Sequence, residues 1–88
     1  MIIPFFSGLY MAKKGYKRKR HQGTIDTIGK NIRKYRIEKD LSQEKLAVLC
    51  DMEPTSISRY EAGLVDISVS SVAIIAEALE LEIKLFFD

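Results

Sequence analysis

Apolar residues recur every three or four positions along residues 24–39, which is the spacing of one face of an α-helix. The side chain of Thr24 or Asp26 can cap the start of this helix, which is expected to run to about Lys39. Asp40 and Leu41 interrupt the pattern. The pattern therefore predicts a first helix whose buried face is formed by Ile25, Ile28, Ile32 and Tyr35.

Residues 41–63 predict two short helices joined by a tight turn, the arrangement of a helix-turn-helix. Ser42 is a good N-cap for the first of them. Pro54 suits the first position of the second, because the missing N–H of proline costs nothing there. Gly63 tolerates a left-handed conformation and ends the second helix. The residues expected to face inward are Leu46, Ala47, Leu49 and Cys50 on one helix and Ile57 and Tyr60 on the other.

The C-terminal part of the chain predicts two further helices after a loop at residues 63–67. Ser68 caps a fourth helix with inward positions Val69, Val72, Ile75, Ala76 and Leu79. Residues 83–87 are expected to form a short fifth helix that closes the bundle with Ile83, Phe86 and Phe87. The fold class predicted is therefore all-α, as a compact five-helix domain.

Two motifs and their spacing resemble the helix-turn-helix of the phage repressor and Cro-like family, also called the XRE family. They are L-S-Q-E-x-L-A at residues 41–47 and S-I-S-R-Y-E-x-G at residues 56–63. The resemblance extends over about residues 28–87 and implies a repressor-like DNA-binding domain with the helix-turn-helix at helices two and three. The family usually has glycine where Glu80 stands, so this chain departs from the family pattern at the end of the fourth helix.

The resemblance implies that the third helix enters the major groove and reads base edges. Arg59 is the strongest candidate for base reading, because its planar fork matches the O6 and N7 acceptors of guanine; otherwise it is a solvated charge. A contact by Pro54 must be apolar, since proline has no donor. The outward positions of this helix are Pro54, Thr55, Ser58 and Arg59.

Phosphate binding and a structural ion pair are also implied by the resemblance. Gln43, at the start of the second helix, is expected to bind a phosphate oxygen, with Lys45 and Ser56 as further phosphate contacts. Arg36 and Glu61 match positions that pair in related repressors and would tie helix one to helix three. The sequence leaves open whether this pair is buried or exposed.

Four apolar residues occupy positions that are commonly polar in the family, namely Leu64, Val65, Ile74 and Leu85. We expect them to form a dimer patch with the fifth helix; the alternative is a set of scattered exposed apolar residues. A two-fold dimer would read an inverted repeat with half-sites about one helical turn apart.

The charge of the 88-residue chain is segregated, although its formal net value is only +2. No acidic residue precedes Asp26, and the first helix is also rich in Lys and Arg, whereas the C-terminal end is acidic. We divide the chain into an N-terminal extension, 1–23, and a helix-turn-helix domain, 24–88. Residues 12–23 are either an arm that lies along DNA or a solvated tail. The arm cations are Lys13, Lys14, Lys17, Arg18, Lys19 and Arg20.

Residues 1–11 are apolar, and three interpretations of them stay open. They can be an upstream extension with Met11 as the true start, or an extended segment packed on the domain or on a partner chain. They can also be an interfacial membrane anchor. The order of the apolar and basic runs is the reverse of a secretory signal.

Composition argues against an enzyme, because the sequence shows no nucleophile–base set and no glycine loop for phosphate. One cysteine and one histidine argue against an internal disulfide or a zinc cluster, and no cofactor is expected. The function predicted is a homodimeric, sequence-specific DNA-binding transcription regulator in the cytoplasm, associated with the nucleoid if prokaryotic. Its partners would be double-stranded DNA and a second copy, with no membrane and no small molecule. Alternatives are an antitoxin, which would also bind a toxin, a restriction–modification controller, and an RNA-binding or protein-adaptor module that uses the basic arm.

Overall fold

The computed structural model of the protein describes residues 19–88, which form helices and contain no strand. The helices are α1 (Gln22–Glu38), α2 (Gln43–Cys50), α3 (Pro54–Glu61), α4 (Val69–Ala78) and a C-terminal 3₁₀ helix (Ile83–Phe87). The all-α fold class is confirmed. Four α-helices are present in this range instead of five, because the last segment is only five residues long and adopts the tighter 3₁₀ form common in short pieces.

The start of α1 differs from the prediction. His21, and neither Thr24 nor Asp26, is the N-cap: its Nδ1 accepts the backbone N–H of Thr24 at 3.3 Å. A neutral imidazole can do this because one ring nitrogen carries a free lone pair. As a result α1 begins at Gln22 and takes in the last two residues of the segment predicted to be the arm.

The other caps follow the sequence prediction. The Ser42 hydroxyl accepts the backbone N–H of Lys45 at 3.0 Å, and the Ser68 hydroxyl accepts that of Ser71 at 3.1 Å. Gly63 has a φ of +70°. Glu80 also takes a left-handed conformation, with a φ of +59°, so the chain still turns sharply after α4 without the usual glycine.

The core lies between α1, α2, α3, α4 and the 3₁₀ helix, and its largest fully buried side chains are Phe86, Ile32, Leu46, Ile57, Ile75, Leu79 and Val72. The prediction of an inward position is wrong for three residues: Leu49, Val69 and Phe87 are 58%, 70% and 45% exposed. Cys50 and Phe86 take the inward positions beside Leu49 and Phe87, since a short helix buries only one narrow face. Val69, the first residue of α4, instead lies between two exposed serines.

Cys50 is buried, as predicted, and burial raises the pKa of its thiol. A raised pKa keeps the neutral thiol form at physiological pH, so Cys50 acts as a small apolar core residue.

No helix within residues 19–88 is both long enough and apolar enough to cross a membrane.

Gly29 allows α1 to lie directly against the end of α3. A Cβ atom at this position would collide with the Tyr60 carbonyl oxygen and would lie 3.0 Å from that of Glu61. Both obstacles are backbone atoms, which cannot move aside as a flexible side chain can. Glycine at position 29 therefore sets the separation between α1 and α3.

We expect Gly29→Ala to lower the free energy of unfolding by about 3 kcal/mol, because the added methyl forces α3 away from α1. Thermal denaturation should show a Tm reduced by more than about 10 °C. The matched control is Gly23→Ala on the same helix, where a Cβ would meet only the His21 ring at 3.8 Å. That change should raise stability by up to about 1 kcal/mol, since alanine favours the helix. Equal effects of the two substitutions would contradict the role assigned to Gly29.

Candidate nucleic-acid interface

The outer face of α3 is accessible over its whole length. Pro54, Thr55, Ser58 and Arg59 are all exposed, whereas Ile57 on the opposite side is fully buried. Positions i, i+1, i+4 and i+5 share one face of a helix, so the four predicted base-reading residues lie together. Ser56, a predicted phosphate contact, is half-buried at the edge of this face.

Arg36 and Glu61 form a buried ion pair between α1 and α3. The Arg36 Nε donates to Glu61 Oε2 at 2.6 Å and Nη2 donates to Oε1 at 3.0 Å, an arrangement that uses both carboxylate oxygens. Arg36 as a residue is only 8% exposed, and the Glu61 side chain only 4%. The hydrogen bonds with Glu61 raise the pKa of the Arg36 guanidinium above its ordinary value. The question of burial that the sequence left open is thus decided in favour of a buried pair.

Glu61 also connects α2 to the same network. Gln43 Nε2 donates to Glu61 Oε1 at 3.0 Å, and Arg36 Nη1 donates to the Leu41 carbonyl oxygen at 2.8 Å. One carboxylate therefore joins all three helices and orients the amide of Gln43. Lys45, the other predicted phosphate contact on α2, is exposed.

Arg33 is a residue of this site that sequence reasoning missed. It is one of the basic residues of the first helix, and the sequence indicates no particular role for it. Its Nη1 lies 4.0 Å from Glu61 Oε1, and its side chain is 62% exposed. The available signal was its position three residues before Arg36, which places both arginines on one side of α1.

The C-terminal end of the basic arm lies against the end of α3. Gln22 Nε2 donates to the Gly63 carbonyl oxygen at 2.9 Å, and Arg20 Nη2 donates to that of Leu64 at 3.4 Å. Lys19 and Arg20 are both exposed. The remaining arm cations, Lys13, Lys14, Lys17 and Arg18, lie outside the described residues, as does the apolar segment 1–11.

The predicted dimer patch is only partly exposed. Leu64 and Ile74 are largely accessible, but Val65 and Leu85 are half-buried, and Leu85 packs against the core. The exposed part of the patch therefore consists mainly of Leu64 and Ile74.

We expect Glu61→Ala to lower the free energy of unfolding by about 3–5 kcal/mol, because it leaves the Arg36 charge buried without a partner. Urea denaturation measures this change. Glu44→Ala is the control, since Glu44 is an exposed carboxylate on α2, and its effect should stay within about 0.5 kcal/mol. A loss below about 1 kcal/mol for Glu61→Ala would mean that the pair behaves as an exposed one.

Two curated sequences show similarity over about two thirds of the chain. An HTH-type transcriptional regulator of Rickettsia conorii is 39% identical over 61 residues, which are 69% of this chain and 49% of the relative. Control protein C.BamHI of Bacillus amyloliquefaciens is 38% identical over 62 residues, which are 69% of this chain and 76% of that protein. The matched part is thus about half the length of the Rickettsia relative.

Solved structures of restriction–modification controller proteins share the fold. The controller C.AhdI from Aeromonas hydrophila has a TM-score of 0.69 and 30% identity, over 72% of this chain and 96% of that one. The C.Esp1396I controller, solved as a tetramer in complex with its natural 35 base-pair operator, has a TM-score of 0.67 and 28% identity. That comparison covers 78% of this chain and 88% of the controller chain.

A family model gives the assignment. The model HTH_3, described as helix-turn-helix, matches residues 32–86, which include the C-terminal part of α1, all of α2, α3 and α4, and most of the 3₁₀ helix. Because this match takes in well over half of the sequence, the chain belongs to the HTH_3 family of helix-turn-helix proteins.

Proposed function

We propose that this protein is a sequence-specific DNA-binding transcription regulator that places α3 in the major groove. The observation that carries the proposal is the fully exposed outer face of α3, held at a fixed angle by the buried Arg36–Glu61 pair. A major groove about 12 Å wide admits one helix, whose N-terminal side chains then reach the base edges. In this proposal the regulator acts in the cytoplasm, in association with the nucleoid if the host is prokaryotic.

Base recognition is assigned to the exposed face of α3. Arg59 offers two parallel N–H donors to a guanine, and Thr55 offers a hydroxyl for hydrogen bonding and a methyl for a thymine. Ser58 supplies a second hydroxyl, while Pro54 makes apolar contact only. Hydrogen-bonded readout is therefore concentrated on Arg59, Thr55 and Ser58.

Binding of the DNA backbone phosphates is assigned to Gln43, Lys45 and Ser56 on the helices and to the six cations of the arm. Lys19 and Arg20 support this role of the arm, because the hydrogen bonds of Arg20 and Gln22 hold its last residues beside the end of α3. Neutralisation of six phosphates by the arm would contribute about −5 to the slope of log affinity against log salt. In this proposal residues 12–23 are an accessory arm of the domain at 24–88, and α1 extends two residues into it.

The proposed active form is a dimer that binds an inverted-repeat operator. A single eight-residue reading helix contacts few base pairs, so two copies are needed for adequate specificity. Exposed Leu64 and Ile74 supply apolar surface for the dimer contact, with Val65 and Leu85 at its buried margin. The operator-bound tetramer of the C.Esp1396I controller supports assembly on DNA as the general mode.

A restriction–modification controller is the biological setting that the similarities favour. Control protein C.BamHI and the controller C.AhdI are both similar to this chain, and the described domain accounts for most of the length of each. In that setting, selection of fragments from the source genome should recover DNA upstream of restriction or modification genes. Recovery of unrelated promoters alone would favour a different regulatory role.

Arg59→Ala should weaken operator binding by about 1–3 kcal/mol and relax the preference at one base pair of each half-site. A mobility-shift titration at one stated salt concentration, on an operator obtained by binding selection, measures this loss. Lys84→Ala is the control, because it removes an equal charge from an exposed position of the C-terminal 3₁₀ helix. Its effect should stay below about 0.5 kcal/mol. Equal wild-type affinity for all duplexes would contradict the proposed function.

Leu64→Glu combined with Ile74→Glu should shift the protein towards monomer, because the two charges would have to be buried in the dimer contact. Sedimentation equilibrium should show the dimer dissociation constant raised by at least about tenfold, which is about 1.4 kcal/mol. Val48→Glu is the control, since Val48 is an exposed apolar residue on α2 that is not one of the four patch positions. A dimer that is weakened equally by Val48→Glu, or untouched by the double substitution, would place the interface elsewhere.

A further inference from the structure

We propose that Arg33 and Gln43 together form one phosphate-binding clamp, with Glu61 as the residue that positions both. The clamp would bind a single phosphodiester group of the DNA backbone beside the N-terminal end of α2. This inference rests on the proposed DNA-binding function and adds to it a binding residue, Arg33, on a helix that does not read bases.

The proposed donors on Gln43 and Arg33 both lie near the same oxygen atom of Glu61. Gln43 Nε2 lies 3.0 Å from Glu61 Oε1, and Arg33 Nη1 lies 4.0 Å from the same oxygen. The two nitrogens therefore cannot be further apart than these two distances combined. A phosphodiester group carries two free oxygens, so it can accept one hydrogen bond from each nitrogen at such a separation.

Arg33 is not needed to neutralise Glu61. Arg36 already donates to both carboxylate oxygens, so the buried pair is electrically balanced without a third charge. At 4.0 Å, Arg33 is too far away for a hydrogen bond, and it donates none to any other residue within the described range 19–88. With a side chain that is 62% exposed, Arg33 presents a surplus positive charge to solvent.

Glu61 keeps Gln43 available for the same ligand. A glutamine amide has two N–H donors, and the hydrogen bond to Glu61 occupies only one of them. The second N–H has no acceptor among residues 19–88, while the first hydrogen bond restricts rotation of the side chain. Because Arg36 cancels the charge of Glu61, an approaching phosphate meets the net positive charge of Arg33 instead of a carboxylate.

The test is a salt titration of DNA binding by the full chain. For Arg33→Ala the slope of log affinity against log salt should become shallower by about 0.9, the contribution of one phosphate. Affinity at low salt should fall about 3- to 10-fold, equally for operator and unrelated duplexes, and the deficit should shrink about 3-fold between 50 and 200 mM salt. Arg33→Lys should restore the slope because it keeps the charge.

Lys34→Ala is the matched control, since Lys34 is the neighbouring exposed cation on α1 and stands over the Tyr35 ring, 5.1 Å from its centroid. It should leave the slope unchanged. Because one phosphate is shared, Gln43→Ala should cost less affinity in the Arg33→Ala background than in the wild type. The Tm of Arg33→Ala should stay within about 5 °C of the wild type, as expected for an exposed charge.

A salt slope for Arg33→Ala equal to that of Lys34→Ala would overturn the clamp. Strictly additive losses of affinity for Arg33→Ala and Gln43→Ala would overturn it as well. A large loss of Tm with an unchanged slope would assign Arg33 to the fold alone. These results are distinct from failure of the proposed function, in which the wild type itself shows no preference for any duplex. The slope comparison can still be made on unrelated DNA in that case.

Discussion

The hydrogen-bonded ion pair between Arg36 and Glu61 is the interaction on which the arrangement of the first three helices depends. Both side chains are almost entirely removed from solvent, so each charge is stable only in the presence of the other. Directional hydrogen bonds to both carboxylate oxygens define an angle as well as a distance. Apolar contacts between α1 and α3 would tolerate sliding, whereas this pair does not.

Backbone packing complements the ion pair. Gly29 brings α1 into direct contact with the last turn of α3, and the Glu61 carbonyl oxygen is one of the atoms that this glycine accommodates. Gln22 reaches the carbonyl oxygen of Gly63 immediately beyond the same helix. The C-terminal end of α3 is therefore held at several points, while its N-terminal end and outer face stay free for a ligand.

The same carboxylate links structure to recognition. Glu61 orients Gln43 and stands beside Arg33, so a residue that stabilises the fold also arranges the donors proposed to bind phosphate. The proposed base reading through Arg59 requires the correct angle of α3, and the proposed phosphate contact through Gln43 requires the correct position of α2. A single buried group sets both, which couples the register of the protein on the DNA backbone to the orientation of its reading helix.

Local signals in the sequence determined the helices and most of their ends, because capping by Ser42 and Ser68 and the turn at Gly63 depend only on neighbouring residues. The family resemblance identified Arg36 and Glu61 as partners and placed Arg59 on the outer face. Tertiary structure decided the burial of that pair, the exposure of Leu49, Val69 and Phe87, the cap by His21, and the position of Arg33 and Gln43 beside the same Glu61 oxygen. These features depend on which residues from distant parts of the chain become neighbours, and helical periodicity within one segment carries no information about that.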